Sequence, residues 1–276
     1  MLYEGLVLDE ERALYGICNS TVRSCGFYGA ADGESALKET NGLSVTDCEF
    51  RLRYPMWHMR NSSIDNCRLS ESCRAPLWYC DSINIANSVV DGVKSLRECR
   101  KTKITDSTLA STELGWFCED ISFTGCTVLA EYPFLKTKDL NLSNVKLQGK
   151  YSFQYVENAV IDNCTLDTKD AFWHAKNVVV RDSVVKGEYL AWYSENVTFE
   201  RCKIIGTQPL CYCKNLTLID CEMIECDLSF ERSEVVATIK GAIDSVKNPV
   251  SGNIKADSIG QIFIDLPTTC KIKTIN

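Results

Sequence analysis

The sequence predicts an all-β fold, a single-stranded right-handed parallel β-helix of about eleven or twelve rungs of 19 residues with N- and C-terminal caps. Three observations predict it. Ser88, Ser107, Cys126, Val145, Cys164, Ser183, Cys202 and Cys221 follow one another at seven unbroken steps of 19 residues. Cys67, Cys48 and Cys25 extend this register backward by steps of 21, 19 and 23 residues, so eleven rungs are visible and the early ones carry small insertions. Each rung also has an apolar residue three positions before the register and another two after it, from Val22 and Phe27 to Leu218 and Met223. Polar residues such as Thr46, Asp65, Thr105 and Glu200 stand between these rows, the alternation of a strand with one buried face.

A rung this short buries its inner face only by stacking on its neighbours. Left-handed coils usually carry six-residue subrepeats, which do not divide the 19-residue step, so right-handed winding is expected. The leucine-rich repeat is the architectural rival, because Leu216-x-Leu218-x-x-Cys221-x-Met223 fits part of its consensus. Against it stand the short period and an upstream leucine position held by Met59, Cys80, Thr137 and Ala175.

Two rows assign the turns and the register. Six residues before the register come Asn19, Gly42, Asn61, Ser82, Lys101, Asp120, Asp139, Asn158, Asn177, Asn196 and Asn215. Asn and Gly tolerate the left-handed backbone of a sharp bend, and stacked Asn amides can bond from rung to rung. The ladder also accounts for the Asn-x-Ser/Thr triplets at Asn61, Asn196 and Asn215 without glycosylation. One residue earlier, charge alternates strictly in sign through Arg60, Asp81, Arg100, Glu119, Lys138, Glu157, Lys176, Glu195 and Lys214. Strands about 4.8 Å apart place each charge between two opposites, which disfavours a slip of one rung.

Composition narrows the function classes. A hydrophobic content of 45% suits a folded core, and a net charge of −7 with no basic cluster argues against nucleic acid. Met1 to Arg12 is acidic and has no long apolar run, so the expected location is cytoplasmic, with no membrane segment. The 16 cysteines read as buried reduced thiols. Cys211-Tyr-Cys213 is the closest pair, and neither a metal nor a cofactor is expected. Residues 1–15 read as an N-terminal cap, 16–225 as rungs, and 226–276 as irregular final rungs with a C-terminal β cap, all one domain.

All five tryptophans, Trp57, Trp78, Trp116, Trp173 and Trp192, stand ten residues before a register position, in a row shared with Arg97 and Gln154. The next row holds both histidines, His58 and His174, with Tyr79, Glu98, Phe117, Lys136, Tyr155, Tyr193 and Tyr212. The row before the tryptophans is apolar, including Phe153 and Phe172. In a regular strand neighbouring rows face opposite ways, so one aromatic row is expected outside, a surface for a ligand or partner. Packing of both rows inside a bend is the structural alternative. His58 and His174 are six rungs apart, about 29 Å, too far to share a metal.

Adjacent rungs also stack Asp162, Arg181 and Glu200 two positions before the register, the arrangement that acid–base chemistry on a glycoside would use. Cross-rung ion pairing explains them equally well.

Rungs such as Asn177-Val-Val-Val-Arg-Asp-Ser-Val-Val and Asn196-Val-Thr-Phe-Glu-Arg-Cys-Lys-Ile, the Trp-Tyr and Trp-His pairs, and the tail Ser251-Gly-Asn-Ile-Lys-Ala-Asp-Ser-Ile-Gly260 carry a resemblance. They resemble an uncharacterised bacterial family, a domain of unknown function among the pectate-lyase-like right-handed β-helices, across nearly the whole chain. The resemblance implies the fold and names no activity. The calcium-binding and catalytic motifs of pectate lyases and polygalacturonases have no match here, so no catalytic residue is carried over.

Two readings follow. In the first, the chain binds a carbohydrate or another protein through its aromatic strip, with Trp57, Trp78, Trp116, Trp173, Trp192, His58 and His174 as contact residues, and oligomers can form through that strip or the end rungs. The second is a polysaccharide lyase or glycoside hydrolase using Asp162, Arg181 and Glu200.

Overall fold

The computed structural model describes residues 1–274. The chain is a right-handed parallel β-helix of stacked coils, and the described residues make about 14 turns with a single helical turn, Glu71–Cys73. No helix among the described residues is long and apolar enough to cross a membrane. The chain divides into two compact units, Met1–Asn141 and Leu142–Asn276.

In the first unit, Arg60–Asp65 pairs in parallel with Asp81–Ala86, and that strand with Arg100–Thr105, aligning Ile64, Ile85 and Ile104. In the second, Glu157–Asp162, Lys176–Arg181 and Glu195–Glu200 align Ile161, Val180 and Phe199 in the same way. The row three before the register is no more than 1% exposed at any rung, from Val22 to Leu218. Both predicted core rows are therefore the core.

The turns exceed the eleven or twelve expected because the chain ends also stack as coils. Leu2–Glu4 pairs with Thr21–Arg23 and Val7–Leu8 with Gly26–Phe27, inside the segment read as an N-terminal cap. At the other end Glu234–Lys247 pairs with Ser251–Phe263, and that strand with Lys271–Thr274. Register shifts between Leu218 and Cys221 and between Ile239 and Ala242 shorten the period there, which hides these coils from a 19-residue step. Residues 275 and 276 of the segment read as a C-terminal cap lie outside the described residues.

The register position has a hydrogen-bonding task. Ser88 Oγ donates to Ala86 O at 2.6 Å and accepts the N–H of Cys67 at 3.0 Å, while the Ser88 N–H donates to Ser107 Oγ at 3.0 Å. Cys164 repeats this in the second unit, donating to Asp162 O at 3.2 Å and accepting the N–H of Val145 at 3.4 Å. Each small hydroxyl or thiol satisfies corner backbone groups that water cannot reach, so Cys and Ser interchange in this row.

All eleven residues of the predicted turn row have φ between 46° and 70°. The amides of Asn177, Asn196 and Asn215 each donate to the Asn one rung before, at 3.0, 3.0 and 2.9 Å. The charge row closes at Arg100–Glu119, 3.5 Å, and Lys176–Glu195, 3.9 Å. Such exposed pairs contribute about 0.2–1 kcal/mol each and act mainly on register.

Candidate binding face

At Trp173 and Trp192 the aromatic stretch is a corner and not a strand, which corrects the expected alternation. Phe172 and His174, at φ 61° and 56°, flank Trp173, and Ala191 and Tyr193, at 59° and 60°, flank Trp192. Left-handed residues flank Trp116, Trp173 and Trp192 on both sides and follow Trp57 and Trp78, turning the chain so that three successive side chains take three depths. The first row enters the core, with Leu96 and Phe172 at most 1% exposed. The tryptophans are half-buried. The third row faces solvent, with Tyr79, Phe117, Tyr155 and Tyr193 between 37% and 47% exposed.

Every indole is tied down. Trp57, Trp78, Trp116, Trp173 and Trp192 each donate Nε1–H to a backbone carbonyl of the following rung, at Ala75, Lys94, Tyr132, Tyr189 and Gln208, over 2.6 to 2.8 Å. These acceptors occupy one row, thirteen residues before the next register position. The tryptophan row is thus a set of clips joining consecutive coils. Trp192→Phe keeps most of the ring and loses the bond, so urea denaturation should show a cost of about 1 kcal/mol; an unchanged midpoint would mean that the bond joins nothing.

In the first unit Trp57 and Trp78 stack at 4.9 Å and 4°. The polar interruption at Arg97 continues the same column. Its guanidinium lies 5.3 Å from the Trp78 ring and 5.7 Å from Trp116, a planar cation in the place of an indole. Glu113 holds it at 3.6 Å and also meets Lys94 at 3.2 Å. Arg97 is therefore a packed member of the row, beside Glu98 at 3.8 Å. His58 stacks on Tyr79 at 5.0 Å in this unit.

The second unit carries the longest exposed column. Tyr155, His174, Tyr193 and Tyr212 stack in register with ring centroids 4.9, 5.2 and 4.8 Å apart and planes within 13°. Beneath it Trp173 stacks on Trp192 at 5.6 Å. The column rings cover one another's faces, so they offer solvent their edges. His174 belongs to this column and His58 to the first unit's pair, so the two histidines serve separate surfaces.

The sequence from 1 to 275 matches the family described as "Protein of unknown function (DUF3737)". The chain belongs to this family. No curated protein matches it. Among solved structures it is similar to the surface protein and adhesin PfbA of Streptococcus pneumoniae, at 6% identity over 99% of this chain and 91% of that one, with a TM-score of 0.42. It is also similar to the periplasmic alginate epimerase AlgG, at 13% identity over 94% and 78% of the two chains and a TM-score of 0.38. The catalytic domain of a GH87 alpha-1,3-glucanase matches at 10% identity and a TM-score of 0.35, covering 100% of this chain, which spans 64% of that domain.

For this family member the remaining sequence candidates fall into structural rows. Arg181 sits between Asp162 at 3.6 Å and Glu200 at 3.3 Å, and Arg201 pairs with Asp182 at 2.7 Å and also with Glu200. The Arg201 guanidinium holds the Asp182 carboxyl below its ordinary range. The three residues thus stand together as an ion-paired ladder on the outer face. Cys211 and Cys213 are both buried, and the Cys213 thiol donates to Ala191 O at 3.0 Å. Burial pushes Cys73, Cys211 and Cys226 up to about 12 and Cys213 to about 11, so these thiols are poor nucleophiles at neutral pH. Among the described residues no three His, Cys, Asp or Glu gather as a metal-binding group.

A surface depression in the second unit, absent from the sequence-based expectations, is lined by Gly149, Lys150, Thr168, Lys169, Gly187 and Gly206 among others. The signal was present, since Gly149, Gly187 and Gly206 occupy one row of the 19-residue register.

Proposed function

We propose that the chain is a binding protein whose contact face is the column Tyr155, His174, Tyr193 and Tyr212, and whose ligand is an extended, uncharged, hydroxyl-rich chain of the neutral polysaccharide class. The observation that carries this reading is a column of four stacked rings in register, Tyr155, His174 and Tyr193 exposed and Tyr212 half-buried, repeating ring edges at the rung spacing. Phenol hydroxyls both donate and accept, and imidazole does the same at its two nitrogens, which suits ligand hydroxyls. Two residues along each rung stand Glu157, Lys176, Glu195 and Lys214, a border whose signs cancel. That border selects neither a polyanion nor a polycation. The carboxylates of the alternative, enzymatic reading are held by Arg181, and no observation favours it over binding.

Affinity electrophoresis against neutral and uronic polysaccharides tests the proposal. A neutral glycan should retard the protein, and Tyr193→Ala should weaken retardation at least tenfold with an unchanged far-UV spectrum. Tyr193→Phe, which removes only the hydroxyl, should have the smaller effect. Added salt should leave a neutral contact nearly unaltered. Retention by uronic polymers alone, or no retention by any glycan, would overturn the reading.

A further inference from the structure

The two terminal coils are open and complementary. Leu2–Glu4 and Val7–Leu8 pair with the second coil only, so among the described residues their outer backbone edge has no strand against it. Around that edge Leu2, Leu6 and Val7 are 53%, 39% and 64% exposed. At the other end, among the described residues, Lys271–Thr274 pairs only with Asn253–Ala256, and Ile262, Ile264 and Leu266 of the same terminal coils are 49%, 45% and 39% exposed. An open, apolar strand edge is a template for pairing with another chain.

Charge and register choose the partner. Residues 1–12 carry the carboxylates of Glu4, Asp9, Glu10 and Glu11 against Arg12 and the Met1 ammonium, whereas residues 251–274 carry Lys255, Lys271 and Lys273 against Asp257 and Asp265. The first end is acidic and the last end basic. Two like ends would repel, so an isologous contact is disfavoured and a head-to-tail one is favoured. The core row three before the register begins at Tyr3, which aligns with Val22, and ends at Ile272, which aligns with Ile254. A second copy laid on in this same register sets Leu2 beside Lys271, Tyr3 on Ile272 and Glu4 beside Lys273. Both outer residues of the core row, half-exposed in one copy, would then be covered.

We propose that copies of this chain stack head to tail, the Leu2–Glu4 edge of one pairing in parallel with the Lys271–Thr274 edge of the next. The contact is heterologous, joining unlike edges, so twofold symmetry does not limit it to a dimer.

Light scattering on the tag-free chain across a concentration series tests this. The molar mass of the wild-type protein should rise with concentration. Glu4→Lys and Lys273→Glu each set like charges opposite one another, and each should raise the concentration needed for assembly at least tenfold. Glu4 also pairs with Arg23 of the second coil of its own chain at 2.7 Å, so loss of assembly in Glu4→Lys alone is not decisive. The deciding arm is an equimolar mixture of the two variants. Every contact between unlike copies then joins opposite charges, and assembly should return toward the wild-type concentration. A wild-type mass that stays monomeric throughout, or a mixture that assembles no better than either variant alone, overturns the proposal.

Discussion

Phe172→Ala should destabilise the protein by about 3–5 kcal/mol, read as a shift of the urea midpoint of the full chain at unchanged slope. Phe172 is fully buried, stacked on Phe153 at 4.5 Å and 7°, with Phe199 edge-on at 6.5 Å. Removing its ring deletes contacts to the same coil and to both neighbours. A compact globular core can partly collapse onto such a void. Here collapse is opposed by the backbone ladder, because the coils on either side are pinned by strands about 4.8 Å apart that cannot approach further. The cavity term therefore persists in full alongside the lost transfer energy. A loss below about 1 kcal/mol would mean that the side chains of this row are not the filling of the coil, since full burial of a Phe alone is worth more than that.

Reading by rows worked where one constraint recurs at each rung. The rows through Ile64 and Leu69 must enter the core at every step, so eleven independent instances agree and the pattern survives individual exceptions such as Val145 in the Cys/Ser register. It failed at the aromatic corner for a definite reason. The usual markers of a left-handed bend are Gly and Asn, but here Phe153, Phe172, His174, Tyr193 and Leu210 adopt it, residue types that the sequence presents as ordinary strand formers. Their neighbours over-determine the conformation through the indole clips and ring stacking, a tertiary cause with no local signature. A second left-handed row, through Asn66, Asn87, Asn144 and Asn163 one residue before the register, did carry the Asn signature and was overshadowed by the cysteines beside it. The final coils escaped because bulges change the period there, whereas the first coil keeps the 19-residue step and carries Leu6 where its register calls for Cys or Ser.

The candidate face depended on the same corner. From the sequence the tryptophans, the largest rings, stand first among the contact residues, with His58 and His174 beside them. The bend reverses that order, placing the Trp indoles at half depth with their only donor spent on a carbonyl, and the smaller Tyr and His rings outermost. A residue's suitability for binding was visible in its type; its availability was set by two φ angles.

Gly187→Ala should be the most damaging substitution outside the hydrophobic core. Gly187 has φ 150°, and a Cβ there would lie 1.6 Å from the carbonyl oxygen of Thr168 in the preceding coil. The obstacle is backbone, already committed to the parallel pairing of Thr165–Lys169 with Val184–Lys186, so it cannot rotate aside as a side chain would. The Gly187 N–H also donates to Ile205 O in the following coil at 2.8 Å, which fixes the residue from the other side. A backbone angle that L-residues rarely adopt costs about 1–3 kcal/mol by itself, and separating the two coils adds to it, so the total should exceed about 3 kcal/mol. Gly241→Ala supplies the control, because Gly241 has φ 82° with nothing within 4 Å of where the added methyl group would stand. That variant should show the conformational cost alone, about 1–2 kcal/mol. The difference between the two urea midpoints then isolates the close approach of coil to coil at Gly187. Equal losses would mean that the coils there stand farther apart than a glycine requires, and that the depression floored by Gly149, Gly187 and Gly206 owes its shape to something other than the missing side chains.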